Sequence, residues 1–337
     1  MSNLNKTTYP GLLPSLFVNK LFEDTLAFDA AALSLAAFQY QHNKPYQQWC
    51  QLLQKPDPTA AGLAGIPFLP VSFFKTQEVI TGSFTPEIVF ESSGTTQTVN
   101  SRHLVKDLSV YEKSCITAFE RLYGPIADWC IIGLLPAYLE RQNSSLVHMV
   151  NRFMERSGRP ENGFYLYDHA QLHQTLLSLE ARKQKTLLIG VTFGLLDFAA
   201  AYPMQLGHTV IMETGGMKGR RAELTRYELH AYLQQQLGVS AIHSEYGMTE
   251  LLSQGYSLGE GRFVCPPWMK ILVRDEEDPL VVSLQGKGII NVIDLANIFS
   301  CAFIATDDVG TVYPDGSFEV WGRVDASDIR GCSLMVV

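Results

Sequence analysis

Residues 91–97 read Glu91-Ser92-Ser93-Gly94-Thr95-Thr96-Gln97, directly after the apolar run Ile88-Val89-Phe90. Hydroxyl side chains and a glycine crowded into one short loop can offer several O–H and backbone N–H donors to a single anion. The glycine serves where the chain turns sharply or must approach its guest closely. A polyphosphate fits such a loop, although the same residue types also build ordinary turns. Two later segments bring further groups of the same kind. Glu245-Tyr246-Gly247-Met248-Thr249-Glu250 supplies a ring, a hydroxyl and carboxylates after a short apolar run. Thr306-Asp307-Asp308-Val309-Gly310 leads through Pro314-Asp315-Gly316 to Trp321-Gly322-Arg323-Val324-Asp325, with more carboxylates and a guanidinium.

Groups this far apart in sequence need a scaffold that returns them to one place. Apolar residues recur at helical spacing from Asn19 to Leu53, interrupted near Pro45. Asp168 has the type and position of an N-cap for a helix with Leu172, Leu176 and Leu179 on one face. Thr186 to Val191 and His208 to Met212 are unbroken apolar runs, the pattern of strands buried on both faces. A helix over Ala222 to Leu237 stops at Gly238, and a strand over Val239 to His243 follows. The alternation predicts an α/β fold with a mainly parallel sheet flanked by helices, and ligands bind beyond the carboxyl ends of such strands. Ser92, Gly215 and Tyr246 each follow an apolar run. After about Gln254 the texture changes to short β-rich runs, with a hairpin turning at Pro314-Asp315-Gly316. The expected division is an α/β core over 1–254, a smaller β-rich subdomain over 255–323, and a hinge with a short tail over 324–337.

The 337 residues suffice for a large buried core. A hydrophobic content of 46% with 18% charged residues is that of a globular chain, not a disordered one. The net charge of −8, with no basic run longer than Lys218-Gly219-Arg220-Arg221, argues against a nucleic-acid surface. The polar N-terminus lacks the apolar core of a signal peptide. The longest apolar stretch, Leu187 to Leu196, is too short to span a bilayer. Cys50, Cys115, Cys130, Cys265, Cys301 and Cys332 show no Cys-x-x-Cys pair, so neither a zinc site nor a disulfide framework is indicated. A cytoplasmic protein with free thiols is expected.

Taken in order, the three motifs resemble those of the adenylate-forming superfamily, which contains acyl-CoA synthetases, peptide-synthetase adenylation domains and luciferases. The resemblance runs from about Glu91 to Asp325 and includes Glu213-Thr214-Gly215-Gly216, placed like a glycine pair that lines the adenine pocket. It implies ATP and Mg²⁺ as cofactors. Ser92, Ser93, Gly94, Thr95 and Thr96 would hold the β- and γ-phosphates, and Gly215, Gly216, Tyr246 and Gly247 would form the adenine site. Thr249 would contact the α-phosphate and Glu250 would hold the metal. Asp308 would accept hydrogen bonds from the ribose hydroxyls, Arg323 would touch ribose or phosphate, and Asp325 would mark a hinge. The chain departs from the pattern at Gln97, at Asp307, and in lacking a loop lysine, for which Arg102 or Lys106 are the nearby cations. His148 and Phe193-Gly194-Leu195-Leu196 are candidates to line a tunnel for a carboxylic acid.

In most members of the superfamily Gly-Arg-x-Asp precedes a mobile small domain with a catalytic lysine. Here Asp325 is followed by Ala326 to Val337, and the expectation is that this C-terminal lid domain is absent. Cys332, in Asp328-Ile329-Arg330-Gly331-Cys332-Ser333-Leu334, looks like the acyl-accepting thiol of the acyl-protein synthetases in the fatty-acid reductase systems of bacterial luminescence. That resemblance implies activation of a fatty acid as acyl-AMP, transfer to Cys332 as a thioester, and a partner acyl reductase or acyl acceptor. An acid–CoA ligase of the phenylacetate type, an adenylating enzyme that loads a carrier protein, and a nucleotide-binding module without turnover are the competing readings.

Overall fold

The computed structural model describes residues 12–92, 99–135, 143–215 and 224–324. Helices α1 (Pro14–Leu21), α2 (Phe28–His42) and α3 (Lys44–Leu52) open the chain. Strand β1 (Leu69–Pro70) and the single turn α4 (Phe73–Thr76) precede a two-stranded hairpin, β2 (Ile88–Glu91) and β3 (Arg102–Val105). Helix and strand then alternate: α5 (Leu108–Tyr123), β4 (Cys130–Leu134), α6 (Ser145–Ser157), β5 (Gly163–Phe164), α7 (His169–Ala181), β6 (Thr186–Val191), α8 (Thr192–Ala201), β7 (Thr209–Thr214), α9 (Arg226–Leu237) and β8 (Ile242–Tyr246). Seven strands complete the described chain: β9 (Gly255–Ser257), β10 (Phe263–Val264), β11 (Met269–Arg274), β12 (Val282–Ser283), β13 (Gly286–Asp294), β14 (Phe303–Val312) and β15 (Phe318–Arg323).

The expected parallel sheet is β5-β4-β6-β7-β8, and every pairing within it is parallel. Its strands are buried on both faces, which explains the unbroken apolar runs: β4 and β6 are buried at every position. Because side chains alternate along a strand, each strand feeds two cores. Ile132, Leu134 and Leu188 join a core closed by Leu172, Leu176 and Leu179 of α7, Phe198 of α8, and Leu229, Leu233 and Leu237 of α9. Ile131, Leu187 and Ile189 join the larger core on the other face, closed by Phe119 of α5 and Val150 and Phe153 of α6. Each fully buried leucine or phenylalanine contributes roughly 1.5–3 kcal/mol.

Local chemistry sets the helix ends. The Asp168 carboxylate accepts from the Gln171 amide at 2.9 Å, as the N-cap reading expects. Helix α9 begins later than the apolar pattern suggested, because Thr225 and Glu228 form a reciprocal capping box there. Gly238 ends it in the left-handed region at φ 64°.

At β8 the sheet changes sense without breaking. β8 pairs antiparallel with β9, and the order continues β10-β15-β14-β13-β11-β12, all antiparallel. The hairpin between β14 and β15 turns at Pro314–Gly316, where Gly316 has φ 81° and the Tyr313 amide donates to the Ser317 carbonyl at 2.8 Å. Strand β1 returns from the N-terminal region to pair in parallel with β14, Leu69 with Ile304 and Pro70 with Ala305. The junction of parallel and antiparallel halves therefore gathers β8, β14 and β15 at one place, with the β2–β3 hairpin close by.

Candidate functional site

Tyr246 is the last residue of β8, and its hydroxyl donates to Asp308 Oδ2 at 2.8 Å. Asp308 lies in β14 directly opposite Arg323 of β15, and Arg323 Nε donates to Asp308 Oδ1 at 2.9 Å. The three residues expected to hold adenine, ribose and phosphate are thus one cluster. Asp308 and Tyr246 are buried, while the Arg323 side chain is 60% exposed. Burial and the adjacent Asp308 carboxylate hold the Tyr246 phenol well above its ordinary pKa, so it remains a donor.

The turn under Asp308 is fixed from behind. The Asp308 amide donates to Thr306 Oγ1 at 3.1 Å, and that hydroxyl donates to the Ile290 carbonyl at 2.8 Å. The half-buried Arg274 guanidinium donates to the Thr306 carbonyl at 2.6 Å and to Asn291 Oδ1 at 2.7 Å. A planar donor fork bonded to two strands holds a loop in a way no flexible ammonium does.

The second cluster joins the hydroxyl loop to the end of the tyrosine motif. Ser92 and Ser101 close the neck of the loop: the Ser92 amide donates to the Ser101 carbonyl at 3.0 Å, and the Ser101 amide to Ser92 Oγ at 2.9 Å. The Ser101 hydroxyl faces the Glu250 carboxylate and favours its charged form. Two residues on, His103 is buried with Nδ1 2.8 Å from the Thr249 carbonyl, so this nitrogen carries the proton. Burial drives the His103 pKa down to about 4, and the imidazole is neutral at physiological pH. The Asn297 amide donates to the Glu250 carbonyl at 2.9 Å. Glu250 is buried, and desolvation raises its carboxyl; the Ser101 hydroxyl and the charges of Arg323 and Lys75 oppose that shift. Ser92, Thr249 and Glu250 are therefore brought together, and Glu250 shares a field with Arg323.

Gly215 follows β7 at φ 77°, and its carbonyl accepts from Thr192 Oγ1 at 2.9 Å. The preceding Thr214 donates to Glu245 Oε2 at 2.5 Å, bridging the ends of β7 and β8. Burial, with a smaller contribution from Glu213, pushes the Glu245 carboxyl up to about 7. A side chain on Gly247 would collide with that carboxylate. Ser93, Gly94, Thr95, Thr96, Gly216, Asp325 and Cys332 lie outside the described residues.

Sequence reasoning missed Ser101, His103 and Glu245. A histidine in the short apolar strand β3 and an acid directly before Tyr246 were the available signals. Lys106, weighed as a phosphate cation, is elsewhere: it follows β3 at the end remote from the loop, with Nζ 4.3 Å from the Phe299 ring centre. His148 sits on α6 with Nε2 3.1 Å from Glu112 Oε1, against the paired rings of Phe90 and Tyr111. Leu195 and Leu196 belong to the core on the opposite face of the sheet.

No protein-family model matches the chain. A curated relative, the long-chain-fatty-acid–luciferin-component ligase of Vibrio harveyi, is 22% identical over 330 residues, spanning 88% of this chain and 84% of that protein. Among solved structures, ATP-bound MatB from Rhodopseudomonas palustris superposes with a TM-score of 0.53 at 18% identity, over 72% of this chain and 49% of that one. The luciferase-like enzyme of the nonluminescent mealworm Zophobas morio gives 0.50 at 14% identity, over 73% and 60%. The chain has the adenylate-forming fold. The resemblance read from its motifs holds at the level of architecture, and the chain spans about half the length of the MatB structure it matches.

Proposed function

We propose that this protein is an acyl-protein synthetase: it activates a carboxylic acid, a long-chain fatty acid by preference, with ATP and passes the acyl group to Cys332. The observation that carries the reading is the meeting of Tyr246, Asp308 and Arg323 with Ser92, Thr249 and Glu250 at one strand junction. Likeness to a ligase that, by its name, joins a long-chain fatty acid to a luciferin component supports the choice of acid.

In the first half-reaction a carboxylate oxygen attacks the α-phosphorus of ATP and the bond to pyrophosphate breaks. Asp308 holds the ribose, Thr249 and Arg323 stabilise charge on the reacting phosphate, and the hydroxyl loop from Ser92 steadies the leaving group. Among the described residues no group of three acidic, histidine or cysteine side chains would cage a metal alone. Glu250 as a single carboxylate suits Mg²⁺, which keeps waters and takes the rest of its ligands from phosphates. When bound, Mg²⁺ supplies charge neutralisation on the pyrophosphate.

In the second half-reaction a thiolate attacks the acyl carbon and AMP leaves. The described cysteines are poor nucleophiles. Burial pushes the Cys50 thiol up to about 11 and Cys130 to about 12, and it raises Cys115, Cys265 and Cys301 further. Cys332, outside the described residues, is the thiol left for the task. The expected partner is a reductase or another acyl acceptor.

Labelled long-chain fatty acid and Mg-ATP should leave hydroxylamine-sensitive label on the denatured protein, and Cys332→Ser should abolish it while acyl-AMP still forms. Label that persists on another cysteine would remove Cys332 from the reaction. Unlabelled protein with free CoA consumed would replace the reading by an acid–CoA ligase.

A further inference from the structure

Residues 91–101 contain no lysine or arginine, and Arg102, the next residue, stands opposite Glu91 at the foot of the hairpin. Lys106 is occupied against Phe299 and Phe84 at the wrong end of the hairpin. The structure supplies a cation from a region the motif series does not touch. Strand β1 pairs with Ile304 and Ala305, and the Val71 amide extends that pairing to the Ala305 carbonyl at 2.9 Å. The chain then turns into α4 only three residues in register from Asp308. Phe74 of α4 is buried with its ring edge-on to His103 at 5.7 Å, and His103 is bonded to the Thr249 carbonyl at 2.8 Å. One short turn is thereby fastened to all three motif-bearing segments. The next residue, Lys75, is exposed; its amide donates to the Ser72 carbonyl at 3.0 Å, and its side chain forms no hydrogen bond or ion pair with another described residue.

We propose that Lys75 is the cation that contacts the pyrophosphate portion of bound Mg-ATP, in the place of a loop lysine; this rests on the ATP reading given above. The position is rigid at its base, because Phe74 is locked in the core, and free at its tip. A four-carbon stem with an ammonium serves as a point charge toward phosphate oxygens. The negative charge that needs it lies beside Glu250, where a buried carboxylate and a polyphosphate would otherwise repel.

Calorimetry on the full chain tests this with Mg-ATP, AMP and inorganic pyrophosphate as separate probes. Lys75 is exposed, so Lys75→Ala leaves the core intact. It should weaken Mg-ATP and pyrophosphate binding by about ten- to a hundredfold and change AMP binding by no more than about twofold. Lys75→Arg should recover most of the loss. Unchanged Mg-ATP affinity in Lys75→Ala, an equal loss for AMP and ATP, or a wild-type chain that binds no Mg-ATP would overturn the assignment. A wild-type chain that binds Mg-ATP through Lys75 but runs no carboxylate-dependent pyrophosphate exchange would instead overturn the proposed reaction and leave the phosphate contact standing.

Discussion

Tyr246 donates its hydroxyl to Asp308 Oδ2 at 2.8 Å, joining the last residue of the parallel half of the sheet to the middle of the antiparallel half. Arg323 takes the other oxygen at 2.9 Å. A carboxylate has about four lone-pair sites, so two remain for the ribose hydroxyls proposed to bind there. The two protein donors aim the carboxylate rather than blocking it.

Asp308→Ala should therefore weaken Mg-ATP by about 1.5–3 kcal/mol for each hydrogen bond lost to the charged group. Tyr246→Phe should cost about 1 kcal/mol of stability, with a smaller effect on the nucleotide, because Arg323 still holds the acid. Calorimetric titration decides: ATP affinity unchanged in Asp308→Ala would remove the ribose assignment.

Glu250→Gln is nearly isosteric, and Asn297 still holds the Glu250 carbonyl, so the fold should survive. Carboxylate-dependent ATP–pyrophosphate exchange should fall to a small residue of the wild-type rate, since a neutral amide is a poor magnesium ligand. Exchange at the wild-type rate would show that the metal is held elsewhere.

Glu245 gives a pH signature. Its carboxyl is raised from the ordinary 4.5 to about 7 by burial, so the folded chain holds that proton more tightly than the unfolded one. The stabilisation is full below about pH 4.5 and is lost as pH rises through 7. Asp294, raised to about 6, acts in the same direction. His103, pushed down from 6.5 to about 4, acts oppositely, and stability falls as pH drops through that interval. Glu245→Gln removes the first contribution. Relative to wild type it should gain about 2–3 kcal/mol between roughly pH 5 and pH 8. Denaturant titrations at both ends of that window that show a constant difference would assign the titration to another group.

Gly310 is a structural test of the same region. A Cβ there would collide with the Glu319 carbonyl of β15, at the irregularity between Val309 and Gly310. Gly310→Ala should destabilise by about 1–3 kcal/mol, and it should loosen Asp308 two residues away. An unaltered thermal midpoint would mean that the hairpin has room the geometry denies.

Much of this was legible in the sequence because burial leaves a direct trace. The fully buried strands β4 and β6 announce themselves as apolar runs, and Asp168 as a cap. Tyr246, Glu250, Asp308 and Arg323 could be picked out as candidates because they fall in the motif series that resembles the adenylate-forming superfamily. What could not be read is adjacency. Nothing in the sequence says that Ser101 reaches Glu250, that His103 reaches Thr249, or that β1 pairs with β14. The continuous sheet across residue 254 was hidden for the same reason: a change from parallel to antiparallel pairing alters texture without interrupting hydrogen bonding. The start of α9 was misjudged because the capping box at Thr225 overrode the apolar pattern.

The pairing of Leu69–Pro70 with Ile304–Ala305 also sets a schedule for the folding chain. A ribosome delivers residues in order, and the partner of β1 emerges more than two hundred residues after it. Until then the N-terminal helices have no edge to dock on, and Tyr246 has no Asp308 to meet. Contacts of such long sequence separation slow folding and leave apolar surface open while they wait. The proposed nucleotide site is thus one of the last features the nascent chain completes, and a shortened chain that stops before β14 would display the open edges of β10 and β13 as sites for aggregation.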